Sequence, residues 1–358
     1  MTPDLLSGPR GRRLCLQLAC EASDDVRLLL HDLAYNADVA AGAAVVRFGW
    51  NEDGSTFETR GPVETSATTA ALADTIRAVG AFTPTADDLH AAMLRAVDSA
   101  RYWQEPDGED TIAADAAVCA SLAAIAGAVA ALPETAWWSR DRTADQWAVE
   151  FDPSGDGAPF DAAPDGAQKW RASTVAEEAR ARAERPSDVT ANFSGTWWSH
   201  PWGCPHTTGA LPTGVPAGIP FVEDGLGWTH AVAIPVRGAG RTFEIRTADD
   251  WAELCRRFPL EVTAGRRHDW HRVTGRDGRW LLPDWTRVAQ EWDAVHLTGL
   301  AYLTAATREI EVDAEYSSVI GGWGPDETYW LTGLVREVEG ARVHWQAHAP
   351  EGPWDRAP

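Results

Sequence analysis

Residues 256–279 concentrate the groups best suited to hold an anion. Seven arginines (Arg256, Arg257, Arg266, Arg267, Arg272, Arg276, Arg279) stand against Glu261, Asp269 and Asp277, a local charge of +4 in a chain of net charge −22. Guanidinium groups grip phosphate or carboxylate in a two-pronged fork and raise the local concentration of an anionic ligand. Arg266, Arg267 and Arg272 are the candidates for such a site. The competing reading is a solvated loop whose arginines pair with nearby acids. Inside the stretch, His268 stands beside Asp269, followed by Trp270 and His271. A histidine next to a carboxylate can be tuned to work as an acid or base near neutral pH, but neighbours on an extended chain point opposite ways. His296 lies in the apolar run 294–297, where alternation puts Val295 and Leu297 on one face and His296 on the other. It faces either a cleft or a second core. His200, Cys204 and His206 are zinc-compatible types, and His268 is available as a fourth. Their H-x3-C-x-H spacing matches no standard finger, so no metal is expected and a zinc-dependent hydrolase stands only as an alternative.

Glu223 and Asp224 precede Gly225-Leu226-Gly227-Trp228. They read as loop solvation or as one carboxylate for acid–base work. Residues 101–105 end a predicted helix and either enter a cleft or join the core. Of the 19 tryptophans, most belong to a core, since each buries a large apolar area. Near arginines, aromatics also make stacking walls for flat rings, and Trp197, Trp198, Trp228 and Trp270 are the candidates. No Walker loop, GxGxxG, GxSxG or HExxH is present.

The elements that must position these groups follow from periodicity and punctuation. Ser23 with Asp24 and Asp25 opens a helix with apolar residues at Val26, Leu29, Leu30 and Leu33. Residues 44–50 read as a strand. Helices are predicted near 66–79, 85–104 and 111–132, the last stopped by Pro133. Residues 136–151 read as a strand pair, and 152–166 as a Pro/Gly/Asp/Ala linker. A charged helix is predicted over 168–185. Beyond it, strands are predicted at 193–199, 228–237, 241–246, 293–298, 309–312, 317–323, 327–331 and 343–348. One helix starts from Thr247, with Asp250 completing a capping box, and another near Pro283. The fold class is therefore α+β: a mainly helical N-terminal part followed by a Trp-rich mixed α/β domain with an antiparallel-type sheet. The expected organisation is an acidic helical domain over 1–151, a linker and charged helix over 152–190, and a ligand-binding or catalytic domain over 191–348.

The charge is uneven. Residues 1–190 carry 16 basic and 31 acidic groups, for a net −15. Such a chain repels nucleic acid and anionic membrane and would attract a basic protein. An acidic, non-catalytic immunity or regulatory partner is thus a second functional reading. Five cysteines at irregular spacing indicate no disulfide framework and a reducing compartment, the cytoplasm. Residues 1–13 have no apolar run and do not read as a signal peptide. The uncharged run 116–132 reads as a core helix and not as a membrane span.

One resemblance bears on function. The segments Gly195-Thr196-Trp197-Trp198-Ser199, Thr242-Phe243-Glu244-Ile245, 284–289, 292–297, Gly322-Trp323 and Tyr329-Trp330-Leu331 make the chain resemble actinomycete proteins. Their order is similar to that of ADP-ribosyltransferase-like domains, over roughly the C-terminal half. The resemblance implies a transferase that takes NAD. Trp197, Trp198 and Ser199 would lie against the nicotinamide, the 266–279 arginines would hold the phosphates, and Glu327, the nearest late acid, would serve as the catalytic carboxylate. His296 stands where such domains would carry an acid. The leading expectation is a nucleotide- or small-molecule-binding enzyme of this kind, with a phosphorylated or aromatic small molecule as ligand and acid–base work by Glu327 or His268.

Overall fold

The computed structural model describes residues 4–50, 55–349 and 352–357. Helices dominate the first third. They are α1 (Pro9–Ala22), α2 (Asp24–Ala40), α3 (Thr69–Val79), α4 (Ala86–Asp98), α5 (Gly108–Ala114), α6 (Ala116–Ser121) and α7 (Ala123–Ala130). Helices α2 to α6 each start at a side-chain cap. A hairpin of β1 (Arg47–Trp50) and β2 (Thr56–Thr59) interrupts them. Ser23 caps α2, and Thr85 with Asp88 forms a full capping box on α4. The sequence reading missed α1, whose start carries Pro9 at the first helical position. Its run of arginines concealed a helix buried on most sides, with Arg10 and Arg13 inside and paired to acids. Residues 1–3 of the stretch tested for a signal sequence lie outside the described residues.

The remainder comprises β3 (Asp145–Phe151), α8 (Gly166–Glu184), β4 (His206–Thr208), β5 (His230–Gly238), β6 (Thr242–Ile245), α9 (Ala248–Arg257), β7 (Pro259–Glu261), α10 (Thr263–Thr274), β8 (Arg279–Pro283), α11 (Trp285–Val288), β9 (Ala294–Leu297), α12 (Gly299–Ala305), β10 (Ile310–Glu311), β11 (Tyr316–Ser318), β12 (Glu327–Trp330), β13 (Val335–Glu337), β14 (Val343–Ala347) and β15 (Trp354–Arg356). A nine-stranded sheet runs β15-β14-β5-β3-β4-β12-β9-β6, with β13 also on β5. Only its β6–β9 pair is parallel. A second sheet runs β10-β11-β8-β7. The class is α+β, as expected.

Three local readings change. Residues 136–151 hold a 3-10 helix (Pro133–Ser139) and one strand, not a strand pair. The 193–199 segment belongs to no strand. Pro283 ends β8, and the helix begins two residues later behind the Asp284 cap. The segment 152–190 does not divide the molecule into separate cores. β3 lies inside the large sheet between β5 and β4, α1 packs on α12, and one apolar cluster extends from Leu5 to Leu331.

The centre of this cluster is aromatic. Trp170, Trp251, Trp285 and Trp323 are all buried, and Trp251, Trp285 and Trp323 touch one another at ring distances of 6.0–6.2 Å. Tyr329 meets Trp323 edge-on at 4.7 Å. These rings set a stiff floor under one face of β4 and β12.

Candidate active site

Strand alternation builds the site. In β12, Glu327 and Tyr329 share a face, and in the register His206 of β4 lies opposite Tyr329 while Thr208 lies opposite Glu327. Trp147 of β3 stands opposite Thr208, with Val149 and Phe151 following on the same face. Above them is a cleft of about 410 Å3, closed on its other sides by Trp197, Phe221, Glu223, Trp228 and Gly322–Gly324. The volume suits a small molecule.

Two carboxylates enter it. Glu327 Oε1 meets His206 Nδ1 at 2.6 Å, and its Oε2 accepts from the Gly324 N–H at 2.6 Å. Burial works against ionisation of Glu327, but the His206 hydrogen bond and charge outweigh it and hold the pKa below the usual carboxylate value. Burial likewise opposes protonation of His206, and Glu327 overcomes it, so the histidine titrates above its ordinary value. Glu223 is in the opposite state. Burial pushes it up to about 8, although three donors aim at it: Tyr102 Oη at 2.8 Å, Tyr302 Oη at 3.0 Å and the Gly322 N–H at 2.8 Å. Gly322 has φ +76°, and a Cβ there would come within 2.8 Å of Trp198 and 2.9 Å of His200. Only glycine allows this turn to deliver its N–H to Glu223.

Two imidazoles flank Tyr329. Its ring stacks on His200 at 5.0 Å and on His206 at 5.5 Å. Burial lowers His200 to about 4, which keeps it neutral, and among the described residues its Nδ1 has no partner. The aromatic walls are themselves braced: Phe151 stacks on Trp228 at 4.4 Å, Tyr102 on Trp197 at 4.9 Å, and Trp137 on Phe221 at 5.9 Å.

The chain matches no known protein family, no curated protein and no solved structure. The site therefore has to be judged on its own geometry.

Of the residues singled out in the sequence, Glu327, Glu223, His200, His206, Trp197 and Trp228 line the cleft. Ser199 and Trp198 stand behind it. Ser199 is buried, exchanging hydrogen bonds with Gly321 and accepting from Trp323 Nε1 at 3.0 Å. Trp198 meets Trp197 edge-on.

The residues of 266–272 belong to α10, a helix and not a loop, and none of them lines the cleft. Arg266 is buried and bonded to Glu177 at 3.1 Å, and Arg272 bonds Asp269 at 3.0 Å. Arg267 has no carboxylate partner among the described residues but lies on the same helix, away from the cleft. His268 is buried against Phe193, with its pKa lowered by burial. Asp269 accepts from the Gly195 N–H at 2.9 Å, and Trp270 Nε1 donates to the Trp197 carbonyl at 2.8 Å. The helix thus fixes the segment that carries Trp197. It is a support and does not form an anion site with that segment.

His296 lies on the far face of the sheet, fully buried, with Nδ1 at 2.6 Å from Glu244 and Nε2 at 3.4 Å from Asp326. It faces a second, polar core and not the cleft. Among the described residues no group of three His, Cys, Asp or Glu side chains is arranged to hold a metal ion. Cys204 is buried, its thiol pushed up to about 12. The zinc-hydrolase alternative loses its geometry.

Tyr302 and Phe221 carried no signal in the sequence, Tyr102 was named only within the 101–105 helix end, and Tyr329 only within a segment of the resemblance. Glu223 carried one, as half of an acidic pair, but nothing local marks a carboxyl that burial will hold protonated.

Proposed function

We propose that this chain is a small-molecule-binding enzyme that works by acid–base chemistry in the Glu223–Glu327 cleft. One observation carries the reading. Two carboxyl groups, each accepting from an N–H of the same short turn (Gly322 and Gly324), are driven to opposite protonation states. At neutral pH Glu223 holds a proton to give, while Glu327 is ionised and oriented by His206. Separation of this kind assigns one group the acid role and the other the base or charge-stabilising role.

The aromatic walls suit a flat ring, and a glycosidic bond from ring to sugar is the bond the pair suits. Glu223 would protonate the departing ring. Glu327 would face the positive charge developing on the sugar carbon or take the proton of the incoming nucleophile. The NAD expected from the ADP-ribosyltransferase resemblance is one candidate, because a cationic nicotinamide would be favoured over indole faces. Its phosphates would find no arginine or lysine among the cleft-lining residues. Nicotinamide also departs without needing a proton. An acid at Glu223 therefore favours a nucleoside-type substrate over the dinucleotide. The acidic-partner reading rests on net charge, to which the cleft adds nothing.

A panel of NAD, nicotinamide riboside and purine and pyrimidine nucleosides tests the proposal. Binding should quench tryptophan fluorescence and raise the melting temperature, because a ligand held only by the folded state stabilises it. Chromatography should detect the released ring. A panel with neither quenching nor a melting shift at millimolar concentration overturns the reading and leaves a protein partner, sought by pull-down at low and high salt, as the better one.

A further inference from the structure

A second pocket, of about 350 Å3, opens between α1, the segment before α5 and the turn after α12. It shares no lining residue with the catalytic cleft. Four arginines line it: Arg10, Arg12, Arg101 and Arg308. Two of them are committed to acids. Arg10 is paired with Asp110 and also donates to Thr307 Oγ1 at 3.0 Å, and Arg101 pairs with Asp224 at 3.1 Å.

The other two are not. Arg12 donates to the Leu6 carbonyl at 3.0 Å, and its Nε is buried without a partner. Among the described residues Arg308 donates only to the carbonyls of Thr304 and Glu309. Among the described residues neither has a carboxylate within ion-pair distance, although the chain has 53 acidic and 31 basic residues and most of its arginines are paired. The acids that line the pocket are already occupied. Asp107 and Asp110 hold Arg13 and Arg10, and Glu309 holds Arg276, leaving only Glu105, exposed at the rim.

Two half-buried guanidiniums without counter-ions are costly to keep side by side. Burial lowers the pKa of each and the charge of Arg12 lowers that of Arg308 further, while Asp110 near Arg12 and Asp249 near Arg308, neither within ion-pair distance, offset this only in part. The backbone between the paired and the unpaired arginine is also held in an unusual state. Thr307, a β-branched residue, has φ +59°, a strained conformation that clusters at ligand sites. Its hydroxyl is pinned by Arg10, so the turn that presents Arg308 to the pocket is fixed from below.

We propose that this pocket is a binding site for a small oxyanion-bearing molecule, a phosphate monoester or a carboxylate, whose anionic group fills the place of the missing counter-ions of Arg12 and Arg308. The site is independent of the cleft chemistry. Its ligand would bind close behind Tyr102, the neighbour of Arg101 and one of the hydroxyls that hold Glu223.

The test uses the intact protein at low ionic strength, with inorganic phosphate and malonate as probes and chloride at matched ionic strength as the blank. The expected result is a melting temperature raised by phosphate, by malonate or by both beyond the chloride blank, and the stronger of the two identifies the class. Phenylglyoxal labelling mapped by mass spectrometry should show Arg12 and Arg308 shielded by the bound anion, while exposed Arg237 reacts as before. Arg12→Gln and Arg308→Gln should each weaken binding about tenfold, as loss of a charge-assisted contact does. Glu105→Gln should tighten it. No shift beyond chloride with either anion, or the same shift in the double arginine variant, overturns the proposal. If a variant fails to fold, the labelling of the unaltered protein decides: equal labelling of Arg12 and Arg308 with and without anion is the negative result.

Discussion

The protein holds two histidine–carboxylate pairs of equal length on opposite faces of one sheet. His206 meets Glu327 at 2.6 Å, and His296 meets Glu244 at 2.6 Å. They are one strand apart: His206 lies across β12 from Tyr329, and His296 across it from Thr328. Both histidines are raised in pKa by their carboxylates against the opposing effect of burial. Yet His206 is half exposed at the mouth of a cleft, while His296 is sealed between Glu244 and Asp326. On the proposed reading the same pair is a reagent on one face and a strut on the other. The pair geometry does not separate the two roles. Access to a ligand does.

The sharpest way to break this comparison is to remove one carboxylate. Glu327→Gln should lower turnover on any substrate found by about 10²–10⁴-fold, the usual worth of a positioned acid or base, with little change in melting temperature. A large loss of stability with turnover retained would make the cleft pair a strut as well. His296→Ala should do the reverse. It leaves Glu244 and Asp326 facing each other in the interior, at a cost of about 3–5 kcal/mol, read by denaturant unfolding, while ligand binding in the cleft is retained.

The two carboxyls of the cleft separate by pH. Glu223 titrates near 8 in the fold against an ordinary value of 4.5. The unfolded chain ionises it first, so its contribution to stability is lost as pH rises from about 4.5 through 8. Glu223→Gln should remove that share of the decline and erase the alkaline limb, near pH 8, from the pH–rate profile. The raised His296 acts in the same direction at higher pH: its contribution is complete below 6.5 and fades as pH rises through its folded pKa. His200, lowered to about 4, opposes both, since its stabilisation is lost as pH falls from 6.5 toward 4. Comparing Glu223→Gln with His296→Ala over pH 5–9 tells these terms apart. An unchanged alkaline limb in Glu223→Gln would remove that residue from the acid role.

The smallest effect is expected on α10. Arg272→Ala removes one partner of Asp269, which is buried but keeps the Gly195 N–H, and should cost about 1–3 kcal/mol, without altering ligand affinity in the cleft. A measurable loss of affinity would restore the anion role that its position away from the cleft argues against.

Much of the fold was legible. The Ser23, Thr85 and Thr247 caps, the stop at Pro133 and the apolar face of α9 all act within a turn or two of chain, and each lies where its local chemistry puts it. The site was legible in pieces. Glu327, Trp197 and Trp228 were named, as were Glu223, His200 and His206, the last two as metal ligands. The arginine-rich stretch misled because a local excess of +4 takes no account of partners distant in sequence: Glu177 for Arg266, Glu309 for Arg276 and Glu315 for Arg279. The α1 helix was hidden for the same reason, its buried arginines being answered by Asp107 and Asp110 nearly a hundred residues away.

Composition and short-range pattern sufficed for the class, for the helix starts at Ser23, Thr85 and Thr247 and for the absence of a disulfide framework, because each of these depends on residues close together along the chain. The side of the sheet to which each histidine pair belongs, and the protonation states of Glu223 and Glu327, depend on burial and on donors brought from residues 102, 206, 302, 322 and 324. Those are properties of distance in space, and they come into being only when the chain has closed on itself.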